Sequence, residues 1–414
     1  MPSTDSGLRC RLCAAPLTQP VWDLGAAPLA NAYRRPNEQV RELHYPLRLY
    51  VCERCSLVQL EAVASPSTIF AADYAYFSSY SSTLLRHSET FADAAIDRLG
   101  LKPSDLVVEV ASNDGYLLQY FQRRGIQVFG VEPASNVAEA AVAKGIPTVA
   151  RFFGAQTARD LAAQGLRPRL IAANNVVAHV PDPNDFICGL ETLLAPDGTV
   201  SFEFHYLLRL VEDAQFDTIY HEHFQYFSLR SITAALAAHK LVVVDVEELP
   251  TQGGSLRVYA RHEAAAGPPS AAVADLRVRE DAAQLANPAT YHALARRADR
   301  QKADLLGFLG EAKREGKSVV CFGAAAKGTM LLNYCGVESD MVDYALDSNP
   351  HKQGLLLPGI NIPIYSPTRV AETRPDYVLI LPWNIRDEIM KQMAHVRGWG
   401  GQFVVPAPEL QVIS

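Results

Sequence analysis

The sequence lacks the features that would place it in a membrane or on nucleic acid. No apolar run approaches the length of a membrane span, and the N-terminus, "MPSTDSGLRC", lacks the apolar core of a signal peptide. No basic stretch is dense enough to follow phosphates, and the formal net charge is −7. We therefore expect a cytoplasmic protein that binds neither membranes nor nucleic acid.

Cysteine is also scarce, with 7 in 414 residues. In a reducing compartment, such cysteines are metal ligands or free thiols more often than disulfides. Hydrophobic residues make up 49% and charged residues 20%, which is ordinary for a globular protein. A chain of this length exceeds a single core, so we expect two or three domains in a monomer or a small homo-oligomer.

Three regions differ in pattern. The first, 1–70, has few helix signals and contains "CRLC" and "CERC". The second, 71–248, alternates apolar runs such as "LVVEVAS" and "LIAANNVV" with helical patterns, which predicts βαβ units around a largely parallel sheet. The third, 249–414, has a helical stretch at about 270–315 and then repeats that alternation. The predicted fold is α/β, with a small N-terminal domain and two Rossmann-like domains.

Two Cys-x-x-Cys hooks about 38 residues apart are typical of a four-thiolate zinc site; they comprise Cys10, Cys13, Cys52 and Cys55. Four thiolates give zinc closed tetrahedral coordination, which stabilises a domain and leaves no position for chemistry. The alternative is four unrelated buried cysteines, but two matched hooks rarely arise by chance. We therefore predict a structural zinc ion.

The segment "DLVVEVASNDGYLLQYF" predicts a strand, a turn of small residues and a helix. Small residues let the backbone approach a ligand, and a helix N-terminus favours polar or anionic groups. Glu132 follows the next strand about 20 residues later, where a carboxylate can hold ribose hydroxyls. A third motif, "AANNVVAHVPDP", ends the following strand. The candidate cofactor residues are Glu109, Ala111, Asn113, Asp114, Gly115, Glu132, Asn174 and Asn175.

Two cofactors use this geometry, NAD and S-adenosylmethionine (SAM). The NAD fingerprint requires G-x-G-x-x-G, and "EVASNDGY" has only the last of these glycines. A strand acid followed by a looser turn resembles the first motif of class I methyltransferases, which favours SAM. Taken singly, each motif is also compatible with an ordinary strand, loop and helix.

The third region contains a second set of ligand-like loops. "CFGAAAKGTMLLNYCG" places glycines and a lysine between a strand and a helix, which suits a phosphate or pyrophosphate, although it is not a Walker motif. "LDSNPHKQG" follows the next strand and predicts a second nucleotide-like crevice. The alternative is a Rossmann-like domain used only for packing. The candidate residues are Gly323, Lys327, Gly328, Asp347, Asn349, Lys352 and Gln353.

Taken together, the motifs resemble one family across nearly the whole chain. In order, they are the cysteine hooks, "YFSSYS", "EVASNDGYLL", "GVEP", "NNVVAHVPD", "FDTIYHEHFQYFSL", "GGSLRVY", "FGAAAKG", "LDSNPHKQG" and "LPWN". They resemble the SAM-dependent deoxysugar C-methyltransferases, which methylate C3 of dTDP-linked 4-keto sugars in antibiotic pathways. The resemblance implies a zinc-binding N-terminal domain, a class I methyltransferase core and a C-terminal Rossmann-like domain that holds the nucleotide sugar.

The resemblance also implies roles for particular residues. His223 matches the family's general base, while Tyr220, Glu222 and His179 surround the reacting sugar and Tyr76 lines the pocket. "LPWN" adds Trp383 and Asn384 on the substrate side. The chain departs from the family at Ala111, where glycine is common, and at Gln252, where histidine is more frequent. The second departure bears on the identity of the substrate.

The segment "YHEHF" itself admits several interpretations. A zinc site would need further ligands, and a strand would put Tyr220 and His223 on opposite faces. The grouping of Tyr220, Glu222 and His223 therefore requires a loop or turn. Three other functions remain open: methylation of a different acceptor at oxygen, nitrogen or another carbon; an NAD-linked oxidoreductase; and a non-catalytic zinc-bearing binding module.

Overall fold

The computed structural model describes residues 7–38, 41–63 and 77–414, which form three β-sheets with helices around the second and third. Tyr76, predicted to line the pocket, lies outside the described residues. Within those ranges, no helix combines the length and the apolar character needed to cross a bilayer.

The N-terminal sheet is antiparallel and has the strand order β1-β2-β3-β9. Its first three strands are β1 (Trp22–Ala27), β2 (Tyr45–Val51) and β3 (Val58–Leu60). The fourth strand, β9 (Gln225–Tyr226), comes from far along the chain and directly follows the segment "YHEHF". The catalytic candidates are thus continuous with a strand of the zinc-binding region.

The central sheet has the order β10-β11-β8-β7-β4-β5-β6, and only β11 runs antiparallel to its neighbours. This arrangement confirms the predicted largely parallel sheet. Its strands are β4 (Leu106–Val110), β5 (Gln127–Val131), β6 (Thr148–Val149), β7 (Leu170–Asn174), β8 (Thr199–His205), β10 (Leu241–Leu249) and β11 (Ser255–His262). The helices are α1 (Ser82–Leu99), α2 (Leu118–Arg123), α3 (Ser135–Ala143), α4 (Ala155–Ala163), α5 (Pro183–Leu193), α6 (Leu207–Glu212) and α7 (Leu229–Ala237).

The predicted domain boundary between residues 248 and 249 falls inside the central sheet, within β10 (Leu241–Leu249). β11 pairs with both β10 and β8, so the central sheet extends to His262. The central parallel strands are apolar and buried on both faces, as expected when helices cover a parallel sheet.

The C-terminal sheet has the order β14-β13-β12-β15-β16-β17 and is parallel except for β17. Its strands are β12 (Val319–Phe322), β13 (Ala345–Leu346), β14 (Ile364–Tyr365), β15 (Tyr377–Ile380), β16 (Gln402–Val405) and β17 (Gln411–Ile413). The helices are α10 (Ala326–Cys335), α11 (Val370–Thr373) and α12 (Arg386–Gln392).

Two helices connect the second and third sheets: α8 (Ala271–Ala283) and α9 (Pro288–Arg314). The longer one, α9, packs against β1, α6 and α10, which belong to the three different parts of the molecule. The helical stretch predicted at about 270–315 is therefore an inter-domain element. One hydrophobic cluster runs through all three parts and includes Leu49, Phe204 and Leu331. This shared core fixes the positions of the loops between them.

Candidate active site

The four predicted zinc ligands converge in space. Their sulfur atoms all lie within 4.8 Å of one another. Cys10 Sγ is 3.5 Å from Cys55 Sγ, and Cys13 Sγ is 3.4 Å from Cys52 Sγ. Four sulfurs around a tetrahedral zinc ion would be ~3.8 Å apart, given Zn–S bonds of ~2.3 Å. The quartet therefore fits zinc, bound for structure and not for chemistry.

The two hooks have the same backbone geometry. Cys10 and Cys52 each donate their N–H to a carbonyl five residues on, at 2.8 and 2.9 Å. Each also accepts from the N–H four residues on, and those residues, Ala14 and Ser56, have left-handed φ angles of 57° and 60°. Such repeated tight turns aim two sulfurs of each hook at one point. Gln59 also donates to Cys10 Sγ at 3.3 Å, which ties β3 to the metal site.

The predicted cofactor turn follows β4 and is left-handed at three positions. Ala111, Asn113 and Gly115 have φ angles of 56°, 47° and 78°. At a residue other than glycine this conformation costs roughly 1 kcal/mol or more, and it persists only when surrounding contacts impose it. Here Asn113 N donates to Glu132 Oε2 at 3.0 Å, and Ala134 N donates to Glu132 Oε1 at 2.9 Å. Each carboxylate oxygen keeps a further lone pair for a ligand.

Three acids converge beside this turn, namely Glu109, Asp114 and Glu132. Burial raises the pKa of Glu109 well above its usual range, and the other two carboxylates add to that rise, while the Tyr116 hydroxyl counters part of it. Within the described ranges, neither Glu109 oxygen has a hydrogen-bond partner of standard geometry. SAM carries an ammonium and a sulfonium cation, so this buried acidic group fits the cofactor. Asn174 ends β7, and Asn175 follows it at the same edge of the sheet.

Glu132→Gln should weaken SAM binding about 10- to 100-fold, because the substitution removes a charged acceptor from the N–H groups that shape the turn. Isothermal titration with S-adenosylhomocysteine measures this directly. Glu139→Gln is the matched control, since Glu139 is exposed on the neighbouring α3. Equal affinities for wild type and Glu132→Gln would contradict the role assigned to the turn.

The segment from Tyr220 to Phe224 is a turn. His223 N donates to Tyr220 O at 2.9 Å, and Phe224 N donates to Ala178 O at 2.8 Å just before β9 begins. The requirement for a turn is thereby confirmed. His221 points away from its neighbours, with Nε2 donating to Pro46 O at 3.1 Å in β2. Within the described residues, the cysteine quartet is the sole group of potential ligands close enough to hold a metal, so "YHEHF" provides no metal site there.

His223 is held with its proton on one known nitrogen. Nδ1 lies 2.8 Å from Thr218 O, and a carbonyl only accepts, so Nδ1 carries the hydrogen and Nε2 keeps its lone pair. The ring packs on Tyr220, with centroids 4.1 Å apart, and meets His179 edge-on at 4.8 Å. This geometry leaves Nε2 as a proton acceptor.

Burial also keeps these histidines uncharged. It lowers the pKa of His223 well below 6.5, and the neighbouring His179, His205 and Lys327 lower it further. Burial lowers the pKa of His179 to about 4, although a hydrogen bond to the Glu222 backbone opposes this. At neutral pH both rings are therefore neutral. The cluster can accept a proton at His223 and donate or accept hydrogen bonds at His179.

Glu222 turns toward the N-terminal domain. Its Oε1 accepts from Asn31 Nδ2 at 2.7 Å. Burial raises the pKa of Glu222 to about 7, while the hydrogen bond from Asn31 and the charge of Lys352 oppose the rise. Glu222 is therefore joined to both flanking domains.

The glycines of the loop after β12 are packed against protein. A Cβ atom on Gly323 would lie 2.4 Å from Pro382 Cδ, and one on Gly328 would lie 2.6 Å from Leu381 Cβ. Lys327 lies between these two glycines in the sequence, and its side chain is buried. Its Nζ donates to Gln252 O at 2.7 Å. The phosphate role predicted for this loop stays a prediction, and its lysine points toward the central domain.

A buried charged cluster surrounds Lys327. Its Nζ lies 5.1 Å from the centre of the Trp383 ring, and Trp383 Nε1 donates to Asp217 Oδ2 at 2.7 Å. Burial lowers the pKa of Lys327, and the Asp217 carboxylate opposes that change. Asp217 lies six residues before His223, so this cluster joins the C-terminal domain to the segment "YHEHF".

Lys327→Met should destabilise the protein by about 3 kcal/mol, because it leaves the buried Asp217 carboxylate without its compensating charge. It should also raise the pKa of His223 by removing a nearby cation. Urea unfolding measures the first effect, and the acid side of the pH–rate profile measures the second. The double variant Lys327→Met/Asp217→Asn should recover much of the stability. A single variant as stable as wild type would contradict this account.

The loop after β13 folds on itself. Asn349 N donates to Asp347 Oδ1 at 2.8 Å, and Gln353 Nε2 donates to Asp347 O at 2.9 Å. Lys352 Nζ lies 3.5 Å from Asp347 Oδ2, inside the protein. Asn384 and Trp383 line a cleft of about 650 Å³ between the central and C-terminal domains.

The predicted residues thus form four groups, one of which is the cluster of Lys327 and Trp383 around Asp217. His179, Tyr220 and His223 are together, and the Glu109–Glu132 group surrounds the turn at the neighbouring sheet edge. Glu222 joins Lys352 and Asp347 on the side of the N-terminal loop. Sequence reasoning missed four polar residues in these groups, of which Asp217 is buried and the others are half-buried: Asn31, Tyr33, His205 and Asp217. The first two lie in "LANAYRRP", where no motif marks them.

Family models match the chain in three consecutive segments. They are a zinc binding domain at residues 10–70, a methyltransferase domain at 84–246 and a C-methyltransferase C-terminal domain at 250–408. The fold and the acidic turn define a SAM-dependent methyltransferase with a structural zinc site.

A relative from Streptomyces niveus, the C-methyltransferase NovU, is 37% identical over 98% of this chain and 96% of its own length. The chain belongs to the C-methyltransferase family. The family resemblance, the fold class, the enzyme class and both cofactors predicted from sequence are confirmed.

Two solved methyltransferase structures each cover less than half of this chain. Magnesium protoporphyrin IX methyltransferase from Synechocystis PCC 6803 with bound SAM is 15% identical, with a TM-score of 0.36 over 49% of this chain and 99% of that chain. A complex of the Haloferax volcanii Trm112 methyltransferase activator with a methyltransferase gives 16% identity and a TM-score of 0.34, over 42% and 90%. The family assignment rests on the full-length relative and the family models.

Proposed function

We propose that the enzyme methylates C3 of a dTDP-linked 4-keto-deoxysugar during deoxysugar or antibiotic biosynthesis. The observation that carries the proposal is the state of His223, buried and neutral with Nδ1–H fixed on Thr218 O, which leaves the basic lone pair on Nε2. Carbon methylation beside a ketone needs such a base, whereas oxygen and nitrogen acceptors already have a lone pair for the methyl group.

In this mechanism His223 Nε2 removes the proton from C3, and the electron pair of the C–H bond forms an enolate with the ketone. A hydrogen bond from Tyr220 or His179 stabilises the enolate oxygen, the kind of interaction often worth about 3 kcal/mol. The Glu109–Gly115 turn and Glu132 would hold SAM, which would supply the electrophilic methyl group. C3 of the enolate would attack that methyl carbon, so that a C–C bond forms, the methyl–sulfur bond breaks and S-adenosylhomocysteine is the leaving group. His223 then returns its proton to solvent.

Three predicted domains divide the work in this proposal. Residues 1–70 hold zinc, 71–248 hold SAM and 249–414 hold the nucleotide sugar. The proposed substrate-side residues are Gly323, Lys327, Gly328, Asp347, Asn349, Lys352, Gln353, Trp383 and Asn384. The enzyme works in the cytoplasm, where thiols stay reduced for zinc. Gln252 adjoins the proposed substrate site, because its carbonyl oxygen accepts a hydrogen bond from Lys327 Nζ.

Mass spectrometry of the purified enzyme with SAM and a panel of dTDP-4-keto-deoxysugars tests the function. The proposal predicts one added methyl group and one equivalent of S-adenosylhomocysteine with at least one sugar. If SAM binds and no sugar is methylated, the acceptor is wrong, and the Gln252 departure is the place to look for a different one.

A further inference from the structure

We propose that Asn31, in the N-terminal domain, is a positioning residue of the active site, and that Tyr33 and Lys352 connect it to the C-terminal domain. The inference rests on the proposed function, in which Glu222 faces the acceptor. Asn31 Nδ2 donates to Glu222 Oε1 at 2.7 Å, although the two residues are 191 positions apart. Glu222 is only 3% exposed, so water does not compete for this contact.

A single carbonyl links Asn31 to the C-terminal domain. The Tyr33 hydroxyl donates to Ala324 O at 2.6 Å and has Asn31 Oδ1 as a longer second acceptor at 3.2 Å. Lys352 Nζ donates to the same Ala324 O at 2.7 Å and lies 5.3 Å from the centre of the Tyr33 ring. Ala324 belongs to the loop after β12. A shift of that loop on ligand binding would therefore change the positions of Asn31 and Glu222.

The amide of Asn31 controls how Glu222 presents its oxygens. An N–H donor stabilises the ionised carboxylate, and the backbone of Asn31 hydrogen-bonds to Glu222 as well as its side chain, so this residue fixes the direction of the carboxylate. The charged and titratable groups around Glu222 are Lys352 and Tyr33, with Asp347 paired to Lys352, and His179 bonded to the Glu222 backbone. Asn31 is the neutral member of the group and contacts the carboxylate directly. It thus favours Glu222 as a hydrogen-bond acceptor for a substrate hydroxyl.

Asn31→Ala tests this role through the ionisation of Glu222. Infrared difference spectra against Glu222→Gln follow the Glu222 carboxyl band across a pH titration and need no methyl acceptor. Loss of the Asn31 side-chain N–H donor should raise the pKa of Glu222. The carboxyl group would then be half-ionised at a proton concentration about 10-fold lower or more. An unchanged titration would overturn the proposal.

Two further variants separate positioning from stability. Asn184→Ala is the matched control, because Asn184 Nδ2 joins the central domain to Arg11 O and Leu12 O of the first hook without touching Glu222. Asn184→Ala should lower stability and leave the pKa of Glu222 unchanged. If it shifted that pKa as much as Asn31→Ala does, the role of Asn31 would be structural only. If Asn31→Ala loses zinc, Tyr33→Phe is the variant that tests the proposal. It should raise the pKa of Glu222 by a smaller amount, and an unchanged pKa would contradict the link through Tyr33. If the wild-type enzyme methylated no sugar, the proposed function would be wrong. The Glu222 titration would still test the role of Asn31, because it needs no methyl acceptor.

Discussion

His223→Asn should reduce turnover by at least 10²- to 10⁴-fold, the contribution typical of a general base. Asparagine has no basic nitrogen, so C3 keeps its proton and no enolate forms. Binding of SAM should be unchanged, because the acidic turn lies on β4 and β5 and does not include His223. Turnover is measured by release of S-adenosylhomocysteine, and binding by calorimetry. Substantial residual methylation would remove His223 from the base role.

His221→Asn is the matched control, since it changes the other histidine of the same turn. His221 contacts Tyr45 O and Pro46 O in β2 and does not face the histidine cluster. This variant should lose some stability and keep measurable turnover. If both variants were equally inactive, the loss would reflect disruption of the turn and not loss of the base.

The pH dependence follows from the same residue. Burial depresses the pKa of His223, so the neutral, active form persists as the pH falls through the ordinary value of 6.5. Activity should disappear only at lower pH, when Nε2 is protonated. An acid limb centred above pH 6.5 and abolished in His223→Asn would show that the pKa of His223 is raised instead.

Removal of zinc should have the second large effect. Structural zinc sites contribute about 10–16 kcal/mol in zinc-finger peptides, comparable to the ~5–15 kcal/mol that stabilises a whole domain. The N-terminal domain should therefore unfold on chelation or in Cys52→Ala. β9 would lose its partner β3, and Arg11 Nη1 would lose its 3.0 Å contact with Phe224 O beside His223.

Zinc content, limited proteolysis and calorimetry with S-adenosylhomocysteine distinguish the consequences. We expect cleavage confined to the N-terminal domain, loss of turnover and retention of cofactor binding. Cys188→Ala is the control, because Cys188 lies on α5 outside the quartet and should keep zinc and activity. Full turnover by zinc-free protein would contradict the proposed support of the catalytic turn by the N-terminal sheet.

Much of the fold could be predicted because local patterns determine it. The spacing of the two hooks identified the metal site, and apolar runs such as "LVVEVAS" identified buried parallel strands. The turn after β4 was recognisable because Glu109 and Glu132 stand at the ends of neighbouring strands. Each of these signals depends on residues close together in sequence, or on strands whose order is set by βαβ units.

The rest depends on contacts that no local pattern reports. β9 is two residues long, and its pairing with β3 bridges more than 160 positions of the chain. The Tyr33–Ala324 bond spans 291 positions, and the Asn31–Glu222 bond spans 191. Lys327 was predicted to bind phosphate because a lysine in a glycine loop usually does. Its burial beside Trp383 and Asp217 depends on packing between domains.

The most direct test of the central claim is the fate of a deuterium label at C3 of the sugar. A dTDP-4-keto-deoxysugar that carries this label is incubated with the enzyme and SAM. The mass of the product is then determined by mass spectrometry. Methylation at C3 after proton removal predicts a product that has gained one methyl group and lost the deuterium. A methylated product that retains the deuterium would place the methyl group elsewhere and contradict the account.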